Sequence, residues 1–196
     1  MGDDYFKVIR GGLNSTFQDE GREGLYHIGL PFSGAMDKRN YLIANKLNNN
    51  NNNEAVLEFA YQGPLLKYFG KKRNIVITGN VNFKILKKDK SIYNGECYRT
   101  IEINDGDTID ILSTNRSVYG YFSVNGGFKL EKVWDSFSTT IRAQVGPNNG
   151  QKLIDGQEIK LKEGNSSTQR NLDYIDSKIE FIRVIKGTNF NYFSEQ

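Results

Sequence analysis

From Ala55 onward the residues alternate with a period of two, in short runs broken by Gly, Asn and Asp. Such a pattern restricts the chain to antiparallel β structure, because each strand is too short to be a half-buried helix face. The first run sets Leu57, Phe59 and Tyr61 against Val56, Glu58 and Ala60 and stops at Gly63-Pro64. Further strands are expected at Leu65 to Phe69, Asn74 to Thr78, Asn82 to Leu86, Tyr98 to Ile103, Asp107 to Leu112, Tyr119 to Val124, Ile159 to Leu161 and Ile179 to Ile185. An earlier one, Tyr5 to Arg10, ends at Gly11-Gly12. So many short strands, rich in β-branched and aromatic residues, predict a mainly β, closed or nearly closed antiparallel barrel or sandwich.

One helix interrupts this pattern. Ser33 is placed to cap a helix over about residues 35–47, with Met36, Ile43, Ala44 and Leu47 on one side and Asp37 in the first turn, where a carboxylate suits the dipole. Asn48 to Asn53 is an uninterrupted asparagine tract with no apolar anchor and is expected to be a mobile surface loop. Asn165 to Asp176 is polar and reads as a long exposed loop.

A chain of 196 residues can bury a sizeable core. Its 26 basic and 23 acidic side chains leave a net charge of only +3, which gives no reason to expect a nucleic-acid partner. Lys71-Lys72-Arg73 and Lys87-Lys88-Asp89-Lys90 are read as solvated turns between apolar stretches. Cys97 stands alone, so neither an intrachain disulfide nor a cysteine zinc site can form, and a reducing cytoplasm fits best. The start, MGDDYFKV, lacks a signal-peptide pattern; Met-Gly suggests myristoylation only weakly, since residue 6 is Phe6. No stretch approaches a membrane span, and the three Asn-X-Ser/Thr tripeptides carry no weight without a secretory signal.

Chemistry concentrates in Thr16 to Asp37, where four glycines, a proline, two acids beside an arginine and the sole histidine sit together. His27 is the natural general acid or base near neutral pH, but the favoured alternative is a histidine packed beside Tyr26 and bonded to backbone. Asp19 and Arg22 form either a salt bridge that fixes the loop or a site for the carboxylate and amide of a small substrate. Gln18 can polarise a carbonyl or satisfy loop backbone groups. Ser33 has no visible relay partner, so capping is its better role. Asn45 on the helix and Glu58 in a strand are polar residues in apolar surroundings and could build a pocket floor with the loop. The candidates are therefore His27, Asp19 and Asp37 for catalysis, and Gln18, Arg22, Ser33, Asn45 and Glu58 for substrate binding, with no metal site expected.

The order of motifs adds a family resemblance. Thr16-Phe17-Gln18-Asp19-Glu20-Gly21-Arg22, then Gly29-Leu30-Pro31-Phe32-Ser33-Gly34-Ala35-Met36-Asp37, then Ala44-Asn45-Lys46-Leu47 resemble the start of a 5-oxoprolinase subunit family, also called KipA, allophanate hydrolase subunit 2 or biotin-dependent carboxyltransferase. Leu57-Glu58 with Gly63-Pro64, Thr78-Gly79, Val124-Asn125-Gly126-Gly127, Ser136-Phe137-Ser138-Thr139 and the spaced Gly146, Gly150, Leu153 and Gly156 follow in family order. The chain departs from the family in its asparagine tract and at Gln151, where members often carry arginine.

The resemblance implies a cyclophilin-like β-barrel, two related β halves per subunit, and a chain here that lacks most of the second half. Residues 1–180 would be the first barrel domain. Residues 181–196 would be the start of the second half or a C-terminal tail, since Arg183-Val184-Ile185-Lys186-Gly187 followed by Phe190 resembles its opening. The resemblance further implies an ATP-dependent 5-oxoprolinase subunit that opens a small lactam or amide with companion subunits. The alternatives it leaves are the urea carboxyltransferase of urea amidolyase, which uses carboxybiotin, and a non-catalytic KipA-like module that binds a kinase inhibitor. No P-loop is present, and the methionines, Met1 and Met36, rule out a Met-Lys-Met biotin segment, so ATP or biotin would come through a KipI-like or other companion subunit or be recognised by a site without a short signature.

Overall fold

The computed structural model describes residues 3–165, 168–173, 180–181 and 183–192. In chain order the strands are β1 (Tyr5–Arg10), β2 (Thr16–Gln18), β3 (Val56–Ala60), β4 (Leu65–Phe69), β5 (Arg73–Thr78), β6 (Val81–Leu86), β7 (Ile92–Asn94), β8 (Thr100–Ile103), β9 (Thr108–Thr114), β10 (Tyr119–Val124) and β11 (Glu158–Lys160). A single α-helix among the described residues, α1 (Lys38–Leu47), lies between β2 and β3. The strands form two antiparallel sheets, ordered β11-β1-β4-β9-β6-β7 and β2-β3-β10-β5-β8. The fold is thus mainly β with one principal helix, as the period-two pattern requires.

The facing surfaces of the sheets bury one apolar core, in which Phe6, Leu66, Ile85 and Ile109 of the first sheet meet Leu57, Phe59, Ile75 and Phe122 of the second. Strands β1 and β6 alternate between buried and accessible residues because their sheet is open to water on its outer face. Strands β3 and β5 are buried at every position. The reason is α1, whose Tyr41, Ala44 and Leu47 cover Val56, Val76 and Tyr121 on the far side of the second sheet.

The helix begins at Lys38 rather than near Ala35. Asp37 is its N-cap, extended at φ −107°, and its Oδ1 accepts from the Asn40 N–H at 3.0 Å. Ser33 does not cap; it sits at φ 59° in the preceding loop. Met36 is 67% exposed, so it leaves the apolar side assigned to it.

The asparagine tract is not the mobile surface loop its composition suggests. Asn48 and Asn50 are buried, while Asn49 and Asn51 to Asn53 are exposed. Asn50 Nδ2 donates to the Val124 carbonyl at 2.9 Å and its Oδ1 accepts from the Gly126 N–H at 2.9 Å. Asn48 Nδ2 reaches Ser123 Oγ at 3.1 Å, and Asn125 Nδ2 reaches the Asn48 carbonyl at 2.7 Å. A primary amide carries the donor and acceptor of a peptide group, so these side chains dock the turn onto the end of β10 in place of a backbone ladder. Asn49 takes φ 57°, a conformation asparagine tolerates better than most residues.

Strand β2 lies inside the stretch expected to be loop, and β7 is an exposed edge strand without an alternating burial signal. Of the strand expected over 179–185, Ile179 and Ile182 lie outside the described residues, and the others form no strand. Of the polar loop, 166, 167 and 174–176 lie outside them too; Arg170 and Leu172 are exposed as expected yet bond along the edge of the second sheet to Thr100 and Tyr98. Two lysine-rich turns are also tied down: Arg73 is buried in β5 and bonded to Asp4 at 2.8 Å, and Lys87 pairs with Asp107 at 2.8 Å.

Candidate functional site

Register across the second sheet builds the site's base. Thr16 stands opposite Glu58, Glu58 opposite Tyr121, and Tyr121 opposite Thr78. Directly opposed residues share a face, so these four make one polar row on the side that carries α1. Glu58 Oε2 accepts from the Tyr121 hydroxyl at 2.8 Å and from the Met36 N–H at 2.7 Å. The Tyr121 oxygen in turn accepts from the Asp37 N–H at 2.7 Å, and Thr78 donates to the Asn40 carbonyl at 2.8 Å. The row therefore fixes the start of α1. Burial pushes the Glu58 carboxyl above its usual range of about 4.5, against the lowering effect of its two hydrogen bonds, and nearby Asp37 adds to the rise. Burial, and then Glu58, push the Tyr121 hydroxyl far upward.

Beyond Gln18 the chain leaves the sheet, and Asp19 becomes the centre of a buried network. Its Oδ1 accepts from Gly21 N–H at 2.9 Å, Ser136 Oγ at 2.8 Å and Ser138 Oγ at 2.5 Å, and its Oδ2 accepts from Phe137 N–H at 2.6 Å. Four donors around one carboxylate clamp the loop to the segment after β10. Arg22 extends the clamp: Nη1 donates to Thr140 Oγ1 at 3.1 Å and Nη2 to the Ser138 carbonyl at 2.5 Å. Ser33 Oγ lies 2.5 Å from Thr140 Oγ1. No ion pair joins Asp19 to Arg22 among the described residues; each is held by the 136–140 segment instead. Burial lowers the Arg22 pKa, and the Asp19 charge counteracts it.

Three polar atoms at this junction are buried without a hydrogen-bond partner: Gln18 Oε1, Arg22 Nε and Thr139 Oγ1. Gln18 Nε2 is committed to Thr16 Oγ1 at 2.9 Å and the Thr139 carbonyl at 3.0 Å, so its free oxygen has a fixed direction. Native interiors rarely leave such atoms unmet.

The structure thus brings together Gln18, Asp19, Arg22 and Ser33, with Glu58 and Asp37 joined beneath the same loop. It separates two other candidates. His27 is exposed on the single turn Tyr26–Ile28 and makes no hydrogen bond among the described residues, so it is not the packed, backbone-bonded histidine expected. Asn45 belongs to the asparagine network, donating to the Glu54 carbonyl at 2.8 Å and accepting from Asn50 and Ser123 at 3.3 Å. The contributions of Tyr121, Ser136, Ser138, Thr139 and Thr140 were not derivable from residue type. The one local signal was the hydroxyl-rich run from Ser136 to Thr140.

A cleft of about 670 Å³ lies elsewhere, among Asp4, Lys72, Arg73, Glu102 and Lys162. Its charges are mostly spent on one another, in the pairs Arg73–Asp4, Lys72–Glu102 and Lys162–Glu54. Among the described residues no group of three or more His, Cys, Asp or Glu side chains is placed to hold a metal, and no helix is long and apolar enough to cross a membrane.

Residues 28–196 match the family described as carboxyltransferase domain, subdomain A and B. A 5-oxoprolinase subunit of Haemophilus influenzae is 32% identical over 146 residues, which cover 74% of this chain and 46% of that protein. The urea amidolyase of Lachancea kluyveri is 30% identical over 159 residues, 81% of this chain and 8% of that protein. Among solved structures, the K. lactis urea amidolyase superposes with a TM-score of 0.76 at 26% identity, over 89% of this chain and 10% of that one. The chain spans about half the length of the 5-oxoprolinase subunits it matches and a much smaller share of the amidolyases.

Proposed function

The chain belongs to the carboxyltransferase domain family of subdomains A and B, and on that footing we propose that it acts as a subunit of a 5-oxoprolinase-type complex that opens a small lactam or amide. The observation that carries this proposal is the trio of unmet polar atoms on Gln18, Arg22 and Thr139. A planar amide, lactam or urea presents a carbonyl acceptor beside an N–H donor. Arg22 Nε–H can donate to that carbonyl, Gln18 Oε1 can accept from that N–H, and the Thr139 hydroxyl can do either. Leaving such atoms unpaired costs roughly 1–3 kcal/mol each, and a ligand that meets them recovers it. The guanidinium also places positive charge in a desolvated position, where it stabilises charge that develops on a carbonyl oxygen.

All three atoms are buried, so a ligand reaches them only when the chain around them opens, and we assign that opening to the span between Gly21 and Gly34. Both glycines adopt positive φ, and a Cβ on Gly34 would meet the Glu20 carbonyl oxygen at 2.8 Å. Glu58 and Tyr121 are assigned a positioning role, because their bonds go to the Met36 and Asp37 N–H groups.

Nucleotide phosphate does not fit the helix terminus here, since Asp37 already occupies it with a carboxylate. We therefore assign ATP to a companion subunit. The ureido ring of biotin is a cyclic urea and fits the same donor and acceptor set on Gln18, Arg22 and Thr139; when bound in its carboxylated form it would supply a carboxyl group. The second reading, a urea carboxyltransferase, is favoured by the matched urea amidolyases. We further assign residues 1–180 to the first β domain and 181–196 to the start of a second. The exposure of Phe181, Val184 and Ile185, apolar surface this domain leaves uncovered, supports that division.

Reconstitution with companion subunits tests the activity. ATP-dependent release of glutamate from 5-oxoproline is the expected result, and urea-dependent carboxylation with a biotin carboxylase partner would transfer the assignment to the second reading. A complex that assembles yet turns over neither substrate would refute both.

A further inference from the structure

On the outer face of the first sheet, register sets Lys67 of β4 opposite Thr108 of β9, and Thr108 opposite Leu86 of β6. Neighbouring strands lie about 4.8 Å apart, so Lys67 and Leu86 stand about 10 Å apart with Thr108 on the floor between them. The turn that follows β6 brings Lys88 and Lys90 to this row, the turn before β9 brings Asp105 and Gly106, and together they line a pocket of about 330 Å³. The lysine turn is rigid. Buried Asp107 accepts from Lys87 Nζ at 2.8 Å and from the Lys88 N–H at 3.2 Å, the Lys90 N–H donates to the Lys87 carbonyl at 2.9 Å, and Asp89 accepts from the Ser91 N–H at 2.8 Å. Gly106 leaves room for the turn, since a Cβ there would meet Lys88 Cδ at 3.1 Å.

Lysines 67, 87, 88 and 90 line this pocket against one carboxylate, that of Asp105. Lys87 is spent on Asp107 behind it and Lys88 pairs with Asp105 at 3.2 Å, whereas Lys67 and Lys90 make no ion pair among the described residues. Lys67 Nζ lies 5.4 Å from the centre of the Phe69 ring, which is itself fixed by stacking on Tyr5. Lys88 above all, then the Gly70 N–H and the Lys67 charge, hold the Asp105 carboxyl below its usual range, so amines from two elements act on one point. Three amines against one carboxylate leave two positive charges unbalanced. We propose that the pocket binds the phosphate group of a phosphate monoester, with the apolar part of the ester on Leu86 and Phe69. A monoester carries close to two negative charges at pH 7, which a carboxylate does not match. Lysine amines are compact charges that suit a tetrahedral oxyanion, and no arginine among the described residues lines the pocket to form the fork that selects a planar carboxylate. The Thr108 hydroxyl, unbonded among the described residues, adds a neutral donor at the floor. The apolar core and the second sheet separate this pocket from Gln18, Arg22 and Thr139, so it is an additional site, independent of what those residues bind.

Isothermal titration of the full chain with phenyl phosphate, phenyl sulfate and inorganic phosphate tests the site. Phenyl phosphate should bind about tenfold more tightly than phenyl sulfate, which has the same shape and one negative charge, and more tightly than inorganic phosphate, which has no ring to lay on Leu86. Its affinity should fall as pH drops from 7 toward 5, because the monoester takes up a proton with a pKa of about 6. Lys67→Gln and Lys90→Gln should each weaken binding about fivefold at an unchanged thermal midpoint, since neither amine makes an ion pair in the fold. Leu86→Ala should narrow the preference over inorganic phosphate. Lys71→Gln, which removes an exposed lysine from the separate cleft around Arg73, should leave binding unchanged. An equal loss from Lys71→Gln would reveal diffuse attraction to surface charge and overturn the pocket. Equal affinity for phenyl sulfate would overturn the match to a dianion, and equal affinity for inorganic phosphate would overturn the ester. No saturable binding by the wild-type chain would refute the site outright and leave the amide reading untouched.

Discussion

Alanine substitutions through Asn48 to Asn53 should give different results at six chemically identical positions. Asn50→Ala removes three donated bonds, to Val124, Ser123 and Asn45, and the acceptor of the Gly126 N–H. The Val124 carbonyl keeps a bond from Gly127 N–H at 3.0 Å, so Gly126 N–H is the main group stranded. One stranded buried amide costs about 1–3 kcal/mol, and each bond lost beyond it about 1 kcal/mol net, of which water recovers part; the expected loss is about 3 kcal/mol. Asn48→Ala loses one bond to Ser123 but also removes the unmet Asn48 Oδ1, so about 0–1 kcal/mol is expected. Asn49→Ala forces a left-handed alanine at about 1 kcal/mol, and Asn49→Gly avoids that strain. Asn51→Ala and Asn53→Ala touch only exposed side chains and should stay within about 0.5 kcal/mol of the wild type. Urea denaturation followed by circular dichroism, with a common slope across the set, measures all of them. Equal losses at Asn50 and Asn51 would refute the docking role of the tract.

Three further outcomes follow from the site. Asp19→Asn keeps the shape but turns an amide donor toward one of four donors, and should cost about 2–4 kcal/mol and deprotect the Phe137 amide in hydrogen exchange; unchanged protection at Phe137 would contradict the hub. Arg22→Ala should lower stability by about 2 kcal/mol as well as abolish ligand binding, since its guanidinium ties the loop to Thr140 and Ser138; lost binding at full thermal stability would show that the tie carries no weight. Glu58 has a raised folded-state pKa, so the folded chain binds its proton more readily than the unfolded one. The wild type should then gain stability relative to Glu58→Gln as pH falls from 7 toward 5, and urea denaturation at the two pH values should show that sign; a loss would contradict it.

The fold was legible because its strands obey the simplest pattern. Leu65–Phe69 and Tyr119–Val124 begin and end where alternation and turn residues put them. The helix start was misplaced because Ser33 and Asp37 are both good caps by residue type, and only the Asn40 bond distinguishes them. The asparagine tract misled for a related reason: composition sees six polar residues, whereas burial depends on which amides face β10. Of the residues gathered at the candidate site, Gln18, Asp19, Arg22 and Glu58 stand out in the sequence by type alone. Their pairing does not, because Ser136 to Thr140 lie more than a hundred residues away and a run of hydroxyls does not say which loop it meets. The Asp19–Arg22 salt bridge is the natural guess from spacing alone, and long-range donors displaced it.

The most direct test of the central claim is a nitrogen-edited NMR titration of the chain with 5-oxoproline, urea and biotin in turn, observing the Arg22 Nε–H. Filling the unmet trio should move that resonance strongly, together with the Gln18 and Thr139 backbone amides, for at least one of the three ligands. Shifts confined to the cleft around Arg73 and Lys162, with Arg22 Nε–H unmoved at saturation, would contradict it.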